Sequence, residues 1–139
     1  MMKKRNSDER RGFTLMEVLL VLAILVVLAS LSTIFISRMQ RQAYISAAQA
    51  EIGNLTSALE LYQIDVLSYP DTNQGLQSLR TAPADLPNPA RWKGPYLKND
   101  IQTDPWGSAY TYQLTTPETF VISSPGPDRT PGTDDDITK

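Results

Sequence analysis

The stretch RGFTLMEVLLVLAILVVLASL, Arg11 to Leu31, is a long apolar run with one carboxylate, Glu17, close to its start and a basic leader in front of it. From Val18 to Ser37 no residue is charged, a span of 20 positions. At about 1.5 Å per residue, a helix of that length reaches across the roughly 30 Å hydrocarbon core of a bilayer. The run is therefore expected to be a single transmembrane helix over residues 13–37. Its polar interruptions, Ser30, Ser32 and Thr33, are tolerated in lipid because a hydroxyl can bond back to a carbonyl one turn earlier.

Working outward, residues 1–12 hold Lys3, Lys4, Arg5, Arg10 and Arg11 against Asp8 and Glu9, a local net charge of +3. The whole chain carries 13 Lys and Arg against 15 Asp and Glu, so everything after Gly12 has a net charge of −5. A basic leader before an apolar span predicts a cytoplasmic N-terminus and an exported, acidic body. An ordinary secretory signal peptide, cleaved near Val27-Leu28-Ala29, is the alternative, but such a peptide has no use for an acid at the mouth of its apolar segment. A carboxylate there costs on the order of a few kcal/mol unless something pairs with it, which makes Glu17 a functional candidate.

The chain's 139 residues allow one small domain besides the apolar run. With no Cys and no His, disulfide frameworks, thiol nucleophiles, ordinary zinc sites and imidazole acid–base catalysis are excluded together. No overall basic excess points to nucleic acid.

The RGFTLMEV stretch, with Gly12 before Phe13, Glu17 four residues on and an apolar helix following, resembles the class III signal of type IV pilins and pseudopilins. The resemblance implies that a membrane prepilin peptidase cleaves on the cytoplasmic side between Gly12 and Phe13, removing residues 1–12 as a leader, and that Phe13 becomes N-methylated. It also implies a role for Glu17. The new amine at Phe13 of one subunit would neutralise the Glu17 of its neighbour as helices pack into a filament, because a buried acid left unpaired is penalised. Many members of that family carry a Pro where this chain has Ile34, so the resemblance does not extend to the local unwinding that Pro permits.

The helix is expected to continue beyond the membrane. Tyr44, Ala48, Ile52, Leu55, Leu59 and Tyr62 step by three and four, an amphipathic stripe, with Arg41, Gln49, Glu51, Asn54 and Glu60 largely off it. No Pro lies between Phe13 and Asp65, so one helix of some fifty residues, roughly 80 Å, is predicted. Gly53 is a mild cost of about 1 kcal/mol. The stripe is read as core packing and not as a ligand site. After it come a Pro-led turn at Tyr69-Pro70-Asp71, a short helix around Gly75 to Arg80 ending before Pro83, and a Pro-rich ordered loop held by Trp92, Tyr96 and Leu97. An Asp-Pro-Trp-Gly turn then feeds the strand YTYQL, and Thr115–Glu118 connects it as a hairpin to a second strand, TFVISS. Trp92 and Trp106 are expected to anchor their loops on the helix, and Arg91 and Lys93 to form a solvated edge.

The blocks YPDTNQGLQSL, GPYLKNDIQTDPWGSAYTY and SPGPDRTPGTDDDI are similar, in that order, to blocks of the major pseudopilins of type II secretion systems. That resemblance implies an α+β, pilin-like fold: a long N-terminal helix, transmembrane in its first half, packed on a small antiparallel sheet finished by a C-terminal calcium loop. Residues 38–139 would be the periplasmic domain. The function implied is a non-catalytic subunit that polymerises into a periplasmic filament and drives folded proteins through the outer membrane. Its partners would be further copies of itself, the prepilin peptidase, minor pseudopilins and an inner-membrane assembly platform.

In SPGPDRTPGTDDDI, Asp128 is followed by Asp134, Asp135 and Asp136, while Pro125, Gly126, Pro127, Pro131 and Gly132 impose an irregular backbone with free carbonyls. From the residues alone two readings stand: a solvated acidic tail, or an oxygen-rich shell for a hard cation, calcium before magnesium. It is not an EF-hand, since counting from Asp128 no Gly stands sixth. The resemblance favours calcium, with side-chain ligands from Asp128, Asp135 and Asp136, backbone carbonyls at Pro125 and Thr130, and Thr133 as an additional candidate. Asp134 is left beside the ligands or facing solvent. A type IV pilin or minor pseudopilin of an adhesion or DNA-uptake system is the alternative within the superfamily, although such pilins often close their C-terminal region with a disulfide. A signal-anchored periplasmic enzyme or binding module is the alternative outside it, and the sequence offers it no nucleophile, base or pocket motif.

Overall fold

The computed structural model describes residues 12–138, with the side chains of 31–35 outside the description. The expected leader, residues 1–12, therefore lies outside the described residues except for Gly12. The described chain contains a 52-residue helix, α1 (Leu15–Val66), and three strands, β1 (Thr111–Thr116), β2 (Thr119–Ser124) and β3 (Ile137–Thr138), with single 3₁₀ turns at Leu76–Leu79, Pro89–Arg91 and Gly126–Asp128. It divides into two units, Met1–Met39 and Gln40–Lys139.

In the first unit α1 is capped by Thr14, whose hydroxyl accepts a hydrogen bond from the Glu17 amide (3.2 Å). That satisfies one of the donors a helix N-terminus leaves open, and Glu17 places its charge in the first turn, where the helix dipole favours an acid. Beyond it Val18 to Leu28 is exposed on every side, with Val26 at 69% and Leu20 at 62%. The Ser30 hydroxyl donates to the Val27 carbonyl at 2.8 Å, the back-bonding that a hydroxyl inside an apolar helix requires. The backbone is helical through position 34, so the missing Pro leaves no break there. Among the described residues no helix is long and apolar enough to cross a membrane.

In the second unit the amphipathic stripe is the core. Ala48, Ile52, Leu55, Leu59 and Tyr62 are buried as expected, joined by Ala58, and they form one cluster with Leu76, Leu79, Leu86, Tyr110, Tyr112, Ile122 and Ile137. Each fully buried Ile or Leu contributes about 1.5–3 kcal/mol. Tyr44, the first residue of the stripe, stays exposed and meets Trp106 in a T-shaped ring contact, with centroids 5.8 Å apart. The helix closes at Leu67, which takes a left-handed conformation (φ 69°) and donates its N–H to the Gln63 carbonyl (2.8 Å).

The hairpin is tighter than expected. β1 and β2 pair antiparallel, Tyr112 opposite Ile122, across a connection of Pro117 and Glu118, with an irregularity between Leu114 and Thr116. β3 adds antiparallel to β2, Ser124 opposite Ile137, giving the sheet order β1-β2-β3. The expected short helix is a single 3₁₀ turn, and the Pro-rich loop contains a second, Pro89–Arg91. The loop is pinned by side chains. The Trp92 indole N–H donates to the Ser78 carbonyl (2.9 Å), and Tyr96 packs on Tyr62 and donates its hydroxyl to Asp65 (3.1 Å). Trp106 thus meets α1 as expected, while Trp92 is held by Ser78 and Tyr96.

Buried tyrosines make this core sensitive to alkali. Burial, with the charges of Asp85 and Asp71 adding to it, pushes the Tyr62 hydroxyl up to about 12. Tyr110 and Tyr112 are likewise pushed up to about 12, mainly by burial. Because the folded state holds these protons more tightly than the unfolded chain, whose tyrosines titrate near 10, the stability they confer is complete below pH 10 and lost as pH rises toward 12. The thermal midpoint is expected to be flat in this respect below pH 9.5 and to fall steeply between 10 and 12. The fall should be shallower in Tyr112→Phe, which has no proton to lose but gives up the 2.7 Å bond to the Pro70 carbonyl.

Candidate functional site

Two regions carry the expected functional residues. At the N-terminal end Gly12 and Phe13 precede the helix and are exposed, Phe13 at 83%. A β-carbon added at Gly12 would meet nothing within 4 Å, so the fold places no demand for glycine there. Phe13, Glu17, Val18, Val21 and Leu22 line one concavity of about 340 Å³, which brings Phe13, of the expected processing pair, onto one face with the expected assembly residue Glu17. The role of Thr14 was not foreseen. The signal was present as Thr14-Leu15-Met16-Glu17, the spacing of a helix-capping box.

At the C-terminal end the loop from Pro125 to Asp136 leaves β2 and returns as β3. Asp128 ends the 3₁₀ turn Gly126–Asp128; one carboxylate oxygen accepts from the Thr130 amide (2.9 Å) and the other from the Thr133 hydroxyl (2.9 Å). Thr133 also reaches the Thr130 carbonyl at 3.2 Å. Asp128, Thr130 and Thr133 are thereby gathered into one cluster. Asp136 accepts the Gly132 amide on one oxygen (2.8 Å), while its other oxygen is buried without a hydrogen-bond partner. The Asp135 carboxylate lies 3.9 Å from the Arg41 guanidinium on α1, a half-exposed contact of small energetic weight. Its carbonyl faces Gly126, whose φ of +71° and lack of a β-carbon allow that approach. Pro125 is buried and Asp134 exposed. Among the described residues no three carboxylates stand close enough to hold a metal ion through side chains alone. The acids instead form two sets, Asp128 at one end of the loop and Asp135 with Asp136 at the other, drawn together by the Gly126–Asp135 approach.

Residues 36–139 match the family model described as type II secretion system (T2SS), protein G. The chain belongs to the type II secretion system protein G family. Residues 8–33 separately match the prokaryotic N-terminal methylation motif, which contains Gly12, Phe13 and Glu17. The type II secretion system core protein G of Escherichia coli K12 is 41% identical over 138 residues, 96% of this chain and 93% of that protein. That of Aeromonas hydrophila is 40% identical over 99% of this chain and 94% of its own length. The crystal structure of the major pseudopilin from the type 2 secretion system of enterohaemorrhagic Escherichia coli superposes with a TM-score of 0.64 at 33% identity, covering 74% of this chain and 91% of that one. Protein G membership decides between the pilin-like alternatives left by the sequence, since the match spans the C-terminal blocks and not the N-terminal signal alone.

Proposed function

We propose that this protein is the structural subunit of a type II secretion pseudopilus, which polymerises after leader removal to drive folded proteins out across the outer membrane. The observation that carries the reading is the all-round exposure of apolar side chains from Val18 to Leu28 on a helix that opens with Glu17. A helix apolar on every face is stable in lipid or among other helices and not in water. The same segment therefore serves first as an inner-membrane anchor, continued through residues 31–37, and then as the packing element of a filament. The exported body, 38–139, follows it into the periplasm. The chain does its work by packing and performs no catalysis.

Processing follows from the same end. Gly12 is exposed and a β-carbon there would meet nothing within 4 Å, so its absence of a side chain serves recognition by a peptidase and not the fold. Cleavage before Phe13 creates an amine one turn from Glu17, and N-methylation keeps that amine charged. The C-terminal loop is read as a calcium site. Its residues fit the ion: a buried carboxylate oxygen of Asp136 without a donor is costly unless a cation meets it, and calcium takes the mixed carboxylate and carbonyl oxygens the loop offers. Asp128, Asp135 and Asp136 with the carbonyls of Pro125 and Thr130, and Thr133 in addition, would hold it. The ion would supply positive charge that lets like-charged carboxylates share one small loop.

The test of the processing step is the mass of the chain recovered from cells that contain a prepilin peptidase. The expected mass is that of residues 13–139 plus one methyl group. A chain retaining residues 1–12 in such cells would refute the assignment.

A further inference from the structure

Asp104, 3% exposed, opens the Asp104-Pro105-Trp106-Gly107 turn on a segment well separated in sequence from the C-terminal loop. One of its carboxylate oxygens accepts the amides of Trp106 (3.1 Å) and Ser108 (2.7 Å), and backbone bonds from Gly107 to Asp104 (2.9 Å) and from Asp104 to Ser108 (2.8 Å) complete the turn. The turn uses only that oxygen, a task Asn performs equally well. The other oxygen accepts the hydroxyl of Ser124, the fully buried last residue of β2. The Ser124 oxygen in turn accepts the Gly126 amide at 3.1 Å. A buried relay thus runs from Asp104 through Ser124 to Gly126, the residue whose backbone stands against the Asp135 carbonyl. The same turn carries Trp106, edge-on to Tyr44 of α1, so the base of the loop is fastened to the helix.

We infer that Asp104 and Ser124 are positioning residues for the cation loop, holding Gly126 so that the Pro125–Asp128 end stays against the Asp135–Asp136 end. The inference rests on the calcium reading of that loop. Neither residue touches the ion. They act as outer partners do in metal sites, where removal of one weakens binding without removing a ligand.

The test is a calcium titration of the full-length protein in detergent micelles, read both as equilibrium binding and as the thermal midpoint in calcium and in chelator. It compares the wild type with Ser124→Ala, Asp104→Asn and, as a ligand control, Asp128→Ala. Ser124→Ala and Asp104→Asn are expected to weaken calcium binding by about tenfold or more. A merely structural role would lower the midpoint equally in calcium and in chelator and leave the affinity unchanged; that result overturns the inference while the calcium reading survives. A wild type that binds no calcium overturns both. If Ser124→Ala fails to fold, Asp104→Asn carries the test alone, because it keeps both the size of the side chain and the oxygen that caps the turn.

Discussion

Glu17→Gln is expected to abolish filament assembly and secretion while leaving the thermal midpoint of the Gln40–Lys139 unit unchanged. Glu17 lies in the first turn of α1, on the concavity it shares with Phe13, and among the described residues the buried core of the second unit begins at Ala48, with Ile45 packed against it. In the proposed filament its carboxylate meets the Phe13 amine of a neighbouring subunit in apolar surroundings. Removing one partner of a buried ion pair strands the other and costs about 3–5 kcal/mol, more than a hundredfold in each subunit contact. Because every subunit repeats the contact, the loss compounds along a filament. Glu17→Asp, which keeps the charge one methylene shorter, should retain part of the assembly. Sedimentation of sheared filaments and measurement of exported protein check both variants.

Calcium is expected to raise the thermal midpoint of the protein by on the order of 10 °C or more, and magnesium far less. A ligand at a hundredfold excess over its Kd stabilises the folded state by about 2.7 kcal/mol, and a unit of about one hundred residues responds with roughly 4–8 °C per kcal/mol. Magnesium demands a tighter, more regular shell than this loop of prolines, glycines and threonines offers. Asp128→Ala and Asp135→Ala should each remove the calcium response. In chelator the stretch from Pro125 to Ile137 should loosen first, freeing the β3 pairing at Ser124 and Ile137 and with it the Arg41–Asp135 contact. Identical melting curves in calcium, magnesium and chelator would return the loop to a solvated acidic tail.

Legibility in the sequence followed the range of the interactions involved. The long helix and its buried stripe could be read because apolar spacing, uninterrupted by Pro, is a local signal that tertiary structure had no reason to override. Even there, Tyr44 departs from full burial, and its T-shaped contact with Trp106, sixty-two positions away, is one that no periodicity encodes. The hairpin was legible from its apolar alternation, but β3 was not: two residues, Ile137 and Thr138, have no period, and they pair only because the loop folds back on β2. The N-terminal site was carried by one contiguous motif. The C-terminal acids were visible as residue types, whereas the division of the loop into an Asp128 set and an Asp135–Asp136 set depends on the Gly126 approach. Asp104 was seen as a turn residue because its Asx role is local; its bond to Ser124 is a contact between segments twenty residues apart.

The most direct test of the account is the recovery of the assembled form. The chain would be produced together with a prepilin peptidase and an inner-membrane assembly platform, and material sheared from the cells examined by electron microscopy and intact mass. Filaments built from a chain that begins at methylated Phe13, and absent when Glu17 is Gln, are the predicted result. A correctly cleaved chain that stays monomeric in the membrane under these conditions would contradict it.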